Sequence, residues 1–333
     1  MLKELCLLNG TSGREENVRN YIIDKIKGKC EYSVDALGSI IAFKKGRKLP
    51  SKKVLIAAHM DEVGFIITDI TDDGYLCFAP VGGIDSSVVL GRHVDINGIN
   101  GIIGAKAVHL LTDEEKKTEP SMSKLVIDIG ATDKSQAEKY VNLGDCAYFS
   151  CDFCELGNEF IKSKALDDRI GCMLMIELIN SNLEYDTYFA FNVQEEVGLR
   201  GSGCSAYSIK PDIAIVLEAT TAADIDGVTG GDKCCVLGSG PVVSFMDGRT
   251  IYDKSIYDLA FKIAKENDIK IQTKTKIAGG NDAGAIQQSA FGCRVAAVSL
   301  PCRYIHSGAS VVNIGDIEET RRFLPLLISE LYD

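Results

Sequence analysis

Long apolar stretches are missing from this sequence. None of its 333 residues lies in a run approaching the roughly 20 apolar residues that a membrane-spanning helix requires. The first ten residues contain one lysine and a short apolar run from Leu5 to Leu8, whereas a signal-peptide core needs about 7–15 apolar residues. The sequence therefore predicts neither a membrane protein nor an exported one, and a cytoplasmic protein is expected.

Basic residues and several familiar catalytic motifs are also scarce. Thirty-six Lys and Arg stand against 47 Asp and Glu, and the resulting net charge of −11 repels the phosphate backbone of nucleic acids. No G-x-S-x-G sequence offers the nucleophile of a serine hydrolase. The glycine-rich segment 198–203 lacks the G-x-G-x-x-G order of a dinucleotide site. Nucleic-acid binding, serine hydrolysis and dinucleotide binding are therefore not expected.

Cysteine, in contrast, is abundant, with twelve residues. In a long chain without a signal peptide, cysteines are expected to be reduced and mostly buried as small hydrophobic residues. Cys146, Cys151 and Cys154 imitate part of the spacing of a plant-type ferredoxin site. Their segment alternates like a strand, however, and no fourth cysteine is clearly paired with it. We predict that these three cysteines serve packing.

The sequence changes character along the chain. Its first part predicts an amphipathic helix with Ser12 as N-cap and Gly28 at its end, and then a dense apolar strand at Val54–Ala58. Residues 64–155 contain short β-type runs separated by glycine or aspartate, which is typical of a small β-rich module. The remainder alternates between strands and helices, as in an α/β domain.

These patterns predict an α/β fold with a doubly wound mixed sheet and an inserted small β-barrel-like domain. The catalytic domain is predicted to be discontinuous, over residues 1–63 and 156–333, and the inserted assembly domain is predicted over residues 64–155. The elements predicted after the insertion are helix Asp168–Ile179, strand Thr187–Gln194, strand Ile213–Glu218, helix Tyr252–Glu266, strand Val295–Leu300 and helix Asp316–Leu331.

Carboxylates and histidines stand next to the predicted strands at five places. They are His59 with Asp61, Asp167 with Asp168, Glu195 with Glu196, Glu218, and His306. In open α/β sheets, ligands bind beyond the carboxyl ends of the strands, so these side chains are expected to meet. Each residue alone has an ordinary explanation, such as helix capping or solvation. A set of carboxylates at one sheet edge, however, would repel strongly unless protonated or bound to cations, which predicts a metal site.

The donor set suits two ions better than one. Two histidines and three or four carboxylates exceed the usual three protein ligands of a catalytic zinc, and one carboxylate can bridge two ions. Nitrogen and oxygen ligands without thiolate admit zinc, cobalt or manganese. Adjacent Glu195 and Glu196 can divide the work, one binding metal and the other acting as a base. Asp61 is placed to hydrogen-bond the second imidazole nitrogen of His59.

Four motifs of this sequence together resemble the tetrahedral-aminopeptidase family of dinuclear metallopeptidases. They are His59-Met60-Asp61-Glu62-Val63-Gly64, Lys164-Ala165-Leu166-Asp167-Asp168-Arg169, Gln194-Glu195-Glu196-Val197-Gly198-Leu199-Arg200-Gly201 and Cys302-Arg303-Tyr304-Ile305-His306-Ser307. The resemblance covers nearly the whole chain in the same order, including the inserted module and a Gly-Gly-Asn-Asp-Ala loop at 279–283.

The resemblance implies a role for each matching residue. His59, Asp167 and Glu218 are expected to hold one metal ion, and Asp167, Glu196 and His306 the other, with Asp167 as the bridge. Glu195 is similar in position to the family's general base, and Asp61 to the carboxylate behind His59. The resemblance also implies a cis peptide between Asp167 and Asp168. Two residues depart from the family, since Glu218 stands where many relatives have aspartate and Asn281 where threonine is frequent.

The activity implied by the resemblance is that of an aminopeptidase acting on short peptides. The expected reaction is peptide hydrolysis by a hydroxide held between two divalent ions, with Glu195 taking the proton and returning it to the leaving amine. Removal of single N-terminal residues follows from the resemblance and not from the spacing. Family members assemble as twelve-subunit tetrahedral shells or as dimers, so a homo-oligomer is expected.

Two alternatives stay open at this point. Some family members are labelled cellulases, and glycoside hydrolysis also uses a pair of carboxylates, which allows an endoglucanase. That alternative gives His59 and His306 no role, and a chain with no tryptophan lacks the usual sugar-stacking platform. The other alternative is a non-catalytic scaffold, which predicts lost metal ligands, whereas every expected ligand is present.

Overall fold

A computed structural model describes residues 1–118 and 120–332 of the protein. The α-helices within these residues are α1 (Leu2–Leu7), α2 (Glu16–Ile26), α3 (Lys134–Ala137), α4 (Leu166–Asn180), α5 (Arg200–Ile209), α6 (Lys254–Glu266), α7 (Ala283–Gln287) and α8 (Ile314–Glu330). The strands are β1 (Glu31–Val34), β2 (Ile40–Lys44), β3 (Val54–His59), β4 (Gly64–Ile70), β5 (Leu76–Val81), β6 (His93–Ile96), β7 (Ile99–Gly104), β8 (Val126–Asp128), β9 (Cys146–Phe149), β10 (Cys154–Leu156), β11 (Phe160–Ser163), β12 (Thr187–Asn192), β13 (Ile213–Thr221), β14 (Val242–Val243), β15 (Gln272–Thr273), β16 (Arg294–Cys302) and β17 (Ser310–Asn313).

The largest sheet has eight strands in the order β1-β2-β12-β3-β13-β16-β14-β15. Its centre is parallel, because β12, β3, β13 and β16 pair in the same direction, while β2 and β14 pair antiparallel with this block. Every residue of β3 is buried, as expected of a central strand covered on both faces. The mixed sheet confirms the fold class expected from the sequence.

Helices cover both faces of this sheet. Along β3, Ile56 and Ala58 belong to one hydrophobic cluster, which also contains residues of α4 and α8. Leu55 and Ala57 belong to a second cluster on the opposite face, with residues of α5 and α7. The alternation follows from the two-residue period of a strand. The sheet is therefore buried on both faces, and its polar site residues lie at the ends of its strands.

A closed barrel is inserted between β3 and β10. Its strand order is β4-β5-β8-β7-β6-β9, and it has its own buried cluster, in which Phe65 packs edge-on against Phe78 and Phe149. The next strand, β10, pairs with β11 in a separate three-stranded sheet that β17 completes. The residue boundaries of the two domains stay a prediction.

The N-terminal segment departs from the prediction. The first amphipathic helix, α2, begins at Glu16 with Glu15 in the N-cap position, so the prediction of Ser12 as the cap was wrong. Ser12 lies three residues earlier, and its hydroxyl donates a hydrogen bond to Asp61 instead. A short helix, α1, which was not predicted from the sequence, precedes α2.

No helix among the described residues is both long enough and apolar enough to cross a membrane.

Candidate metal centre

The predicted site residues are brought to one edge of the main sheet by four of its parallel strands. His59 is the last residue of β3, and Glu218 lies near the end of β13. Glu195 and Glu196 follow β12, and His306 follows β16. Asp167 lies at the start of α4, across a cis peptide from Asp168, as the resemblance implied. The edge is the carboxyl end of the parallel block, where α/β sheets place their ligands.

His59 contacts two carboxylates through one nitrogen. Its Nε2 lies 3.2 Å from Asp167 Oδ1 and 3.2 Å from Glu218 Oε1. Its Nδ1 lies 3.1 Å from the carbonyl oxygen of Asp61 and 3.4 Å from the Oδ1 atom of the same residue. The sequence predicted only the Asp61 carboxylate at this nitrogen, whereas the carbonyl oxygen is the nearer atom. Both contacts fix the orientation of the ring.

The second histidine faces the other oxygen of the same aspartate. His306 Nε2 lies 3.5 Å from Asp167 Oδ2 and 3.6 Å from Glu196 Oε2. Its Nδ1 lies 2.9 Å from the carbonyl oxygen of Gly83, in the loop after barrel strand β5. Asp167 therefore presents one oxygen to each histidine, an arrangement that would allow its carboxylate to bridge two ions.

The spacing of these atoms fits metal ligands. Ligands placed about 2.0–2.1 Å from a tetrahedral ion are separated by about 3.4 Å, and the four contacts above lie between 3.2 and 3.6 Å. Two groups of ligand atoms lie within 4.8 Å of one another: His59, Asp167 and Glu196, and His59, Asp168 and Glu218. Among the described residues, the buried atoms Glu218 Oε2 and Asp168 Oδ2 have no hydrogen-bond partner. A cation beside His59 would satisfy the Glu218 atom.

The protonation equilibria of the site are strongly perturbed. Burial raises the pKa of Glu196 to about 7, and it raises the pKa of Glu195 and of Glu218 well above the ordinary value. Burial opposes the charge on His306, but its contact with Asp167 and the charge of Glu196 raise the pKa to about 9. The same balance, with Glu218 as the main partner, raises the pKa of His59. A bound cation would favour the deprotonated forms of these carboxylates and imidazoles, so their extra protons would be released on binding.

Asp61 contacts both His59 and the backbone segment that carries Glu195 and Glu196. It is fully buried, and its Oδ1 accepts a hydrogen bond from the Glu195 backbone N–H at 3.0 Å. Its Oδ2 accepts from the Glu196 N–H at 3.1 Å and from the Ser12 hydroxyl at 2.6 Å. Burial opposes the negative charge, but the contact with His59 and these donors keep the pKa of Asp61 low. Asp61 is therefore a charged anchor for both neighbouring glutamates.

A cleft of about 580 Å³ opens beside the site and is lined by Asp167, Glu195, Glu218 and His306. That size lies in the range of about 300–1,000 Å³ of small-molecule sites. Tyr252 also lines the cleft, and its hydroxyl donates to Asp247 and accepts from Asn281 Nδ2.

Some residues of the site were missed by the sequence analysis. Asp168 was quoted as part of a motif but given no role, although its buried carboxylate belongs to the second ligand group. Gly83 comes from the inserted module, and its contact with His306 is made through the backbone, which leaves no signal in the sequence. Asp282 is buried and accepts from Asn192 Nδ2, behind the end of β12. The only signal for Asp282 in the sequence was its place next to Asn281 in the Gly-Gly-Asn-Asp-Ala loop.

Comparison with known proteins finds similar sequences and structures over nearly the whole chain. The profile of the M42 glutamyl aminopeptidase family matches residues 38–323. The chain is 30% identical over 344 residues to the glutamyl aminopeptidase of Lactococcus lactis, covering 99% of this chain and 95% of that protein. Aminopeptidase APDkam598 from the archaeon Desulfurococcus kamchatkensis has a similar structure, with a TM-score of 0.94 and 34% identity, covering 99% of this chain and 93% of that one.

Two further solved structures are similar. The TET1 peptidase of Pyrococcus horikoshii, which can assemble into a tetrahedron or a large octahedral shell, has a TM-score of 0.86 and 36% identity, with 98% and 97% of the two chains covered. A Thermotoga maritima protein described as an endoglucanase has a TM-score of 0.82 and 35% identity, with 100% and 99% covered.

Proposed function

Because this chain belongs to the M42 glutamyl aminopeptidase family, we propose that it is an aminopeptidase with a dinuclear metal centre that removes N-terminal residues from short peptides. The observation that supports two ions is the position of Asp167, whose oxygens each lie beside a different histidine. Peptide hydrolysis itself follows from membership of the family.

The donor atoms divide into two sets around the shared carboxylate. His59, Asp167 and Glu218 would hold one ion, and Asp167, Glu196 and His306 the other. The nitrogen and oxygen donors suit zinc, cobalt or manganese. Bound divalent ions supply Lewis acidity, which polarises the scissile carbonyl and stabilises negative charge as it develops.

Glu195 is the group that moves the proton. Its carboxylate lines the cleft beside Asp167, and its backbone is held by Asp61. A buried glutamate with a raised pKa is suited to accept a proton from the attacking water and return it to the departing amine. The Asp61 carboxylate keeps His59 oriented throughout, because its own protonation is disfavoured.

Assembly is proposed on the same grounds. A similar structure, the TET1 peptidase of Pyrococcus horikoshii, forms closed shells, and this chain has the same fold over nearly its whole length. We infer a homo-oligomer, a dodecamer or a dimer, in which the inserted barrel makes contacts between copies.

The direct test is hydrolysis of aminoacyl anilides by protein stripped with a chelator and then reloaded with zinc, cobalt or manganese. Leucyl, glutamyl and lysyl anilides with a free amine should be hydrolysed only after reloading, and the N-acetylated forms should not be. Equal cleavage of acetylated substrates would contradict an aminopeptidase. The similar Thermotoga maritima protein is described as an endoglucanase, so glycoside hydrolysis is the alternative to test. Hydrolysis of a cellulose derivative that survives the chelator would favour it.

A further inference from the structure

Asp61 has more donors around it than orientation of His59 alone requires. Its two oxygens accept hydrogen bonds from the backbone N–H groups of Glu195 and Glu196 and from the Ser12 hydroxyl. The Ser12 contact is the shortest of the three, at 2.6 Å, and it reaches the same oxygen as the Glu196 N–H. Ser12 thus limits rotation of the carboxylate that holds both glutamates.

Ser12 is held in place independently of Asp61. The neighbouring Thr11 hydroxyl donates to the Glu62 carbonyl oxygen at 2.8 Å, and the Gly10 N–H donates to Glu62 Oε1 at 3.1 Å. On the other side, Glu15 Oε1 accepts from the N–H of Gln194 at 3.1 Å. The loop from residue 9 to residue 15, which we call the N-terminal brace, is therefore anchored at both ends to the segments that carry the site.

A capping role for Ser12 is excluded by the position of the helix. Helix α2 begins at Glu16, and its N-cap position is occupied by Glu15, so the Ser12 hydroxyl is not used by the helix. The hydroxyl is half-buried and points to a fully buried carboxylate. Hydrogen bonds from a hydroxyl to a charged, buried acceptor are among the stronger ones in proteins.

We propose that Ser12 is a positioning residue, which acts through Asp61 to hold the backbone of Glu195 and Glu196 in register with His59. The inference rests on the proposed function, because Glu195 and Glu196 are the base and the metal ligand of that proposal. Loss of the hydroxyl leaves every ligand and the base in the chain, but it removes the shortest of the hydrogen bonds that hold the carboxylate aligning them.

The test compares Ser12→Ala, Ser12→Thr and Ser329→Ala in the full-length protein. Ser329 is a matched control, because its hydroxyl also donates to a carboxylate, Glu184 Oε2 at 2.9 Å, but on α8 and outside the site. For each variant, kcat and KM are measured on leucyl anilide. The metal-free protein is also titrated with Co²⁺, and the visible absorption of the bound ion is recorded.

Ser12→Ala should lower kcat and Co²⁺ affinity by about 10-fold each, the lower end of the range for direct partners of metal ligands, because Ser12 acts one hydrogen bond further out, with KM changed by less than about threefold. Its Co²⁺ spectrum should differ from that of the parent. In Ser12→Thr, kcat and Co²⁺ affinity should return to those of the parent. Ser329→Ala should leave both unchanged, even if either substitution alters the melting temperature.

Three results would overturn the proposal: parental kcat and Co²⁺ affinity in Ser12→Ala, equal losses in Ser12→Thr and Ser12→Ala, or the same losses in Ser329→Ala. A parent protein that hydrolyses no anilide would refute the proposed function instead, and the Co²⁺ titration would still decide the role of Ser12.

Discussion

Glu195 and Glu196 are adjacent in the chain, but their carboxylates have different surroundings. The Glu196 carboxylate lies 3.6 Å from His306 Nε2 and belongs to a group of metal-ligand atoms. Among the residues that the structure describes, the Glu195 carboxylate has no hydrogen-bond partner, and it lines the cleft. Under the proposed function, one side chain would bind an ion and the other would face the substrate.

Replacing Glu195 by glutamine tests this division. Glu195→Gln keeps the size of the side chain but removes the group that accepts and returns a proton. General-base catalysis contributes about 10²–10⁴-fold, so kcat should fall by at least about a hundredfold while both metal sites stay filled. Turnover is measured on an aminoacyl anilide, and metal content is measured by elemental analysis of the same sample.

Glu196→Gln is the matched control for that experiment, because it makes the same chemical change one residue away. The first effect of Glu196→Gln should be a loss of bound metal, because the substitution removes a charged ligand. Near-normal turnover by Glu195→Gln with two ions bound would show that Glu195 is not the base.

The raised pKa values predict how metal binding depends on pH. In the metal-free protein the pKa of Glu196 is about 7 and that of His306 is about 9. Metal ions bind the deprotonated forms of these side chains. When the pH is below the two pKa values, a binding ion must displace protons, and at higher pH it displaces fewer. Metal affinity should therefore rise with pH through the window from about 7 to about 9, with proton release on binding.

Calorimetric titration of the metal-free protein with Zn²⁺, in two buffers of different ionisation enthalpy at each pH, measures both quantities. An affinity that is constant across this window, with no protons released, would contradict the ligand assignment of Glu196 and His306.

At the scale of the elements, helix α4 connects the site to the N-terminus through one buried side chain. Arg169 is fully buried, and its guanidinium donates to the carbonyl oxygens of Met60 at 2.8 Å, Leu8 at 3.1 Å and Gly10 at 3.3 Å. A fourth donation reaches the carbonyl of Leu5, near the end of α1. Arg169 thus fastens α1 and the end of β3 to the helix that begins at Asp167.

Arg169→Met should lower the free energy of unfolding by about 3–5 kcal/mol, because it leaves several buried carbonyl oxygens without donors and removes the guanidinium beside Glu62. Urea denaturation followed by circular dichroism measures the change. Arg321→Met is the control, since Arg321 pairs with Glu177 nearer the surface, and should cost less than about 1 kcal/mol. Equal losses in the two variants would contradict the role given to Arg169.

Sequence patterns predicted the elements better than the contacts between them. The apolar run at Val54–Ala58 is typical of a strand buried on both faces, and its polar successor His59 was therefore expected at a sheet edge. The hydrogen bond from Glu195 to Asp61 joins residues 134 positions apart, and no local pattern reports such a distance. Ser12 shows the same limit, because a serine before a helix suggests a cap until the tertiary contact is known.

At the scale of the whole molecule, the barrel exposes several large apolar side chains. They are Leu90, Ile102, Val108, Leu110, Tyr140 and Leu143. Such residues, on a module inserted into a catalytic domain, are suited to contact another copy of the chain. Gly83 connects the same module to His306, so the barrel and the metal centre are in direct contact.

The protein should therefore sediment as a multiple of its 36.0 kDa chain mass. The double variant Val108→Asp with Leu110→Asp should reduce the particle mass, because it places charges in the proposed contact. Leu49→Asp is the control, since Leu49 is even more exposed than Val108 and Leu110 but lies outside the barrel, and it should leave the mass unchanged. An active parent that sediments only as a monomer would refute assembly and leave the metal centre untouched.

Under the proposed function, Asp167 would bridge two metal ions, one beside His59 and one beside His306. A crystal structure of the protein loaded with Zn²⁺, with anomalous diffraction recorded at the zinc absorption edge, tests this bridge. We expect two anomalous peaks about 3.5–4 Å apart, each within coordination distance of one oxygen of Asp167. A single peak, or two peaks that do not share Asp167, would contradict it.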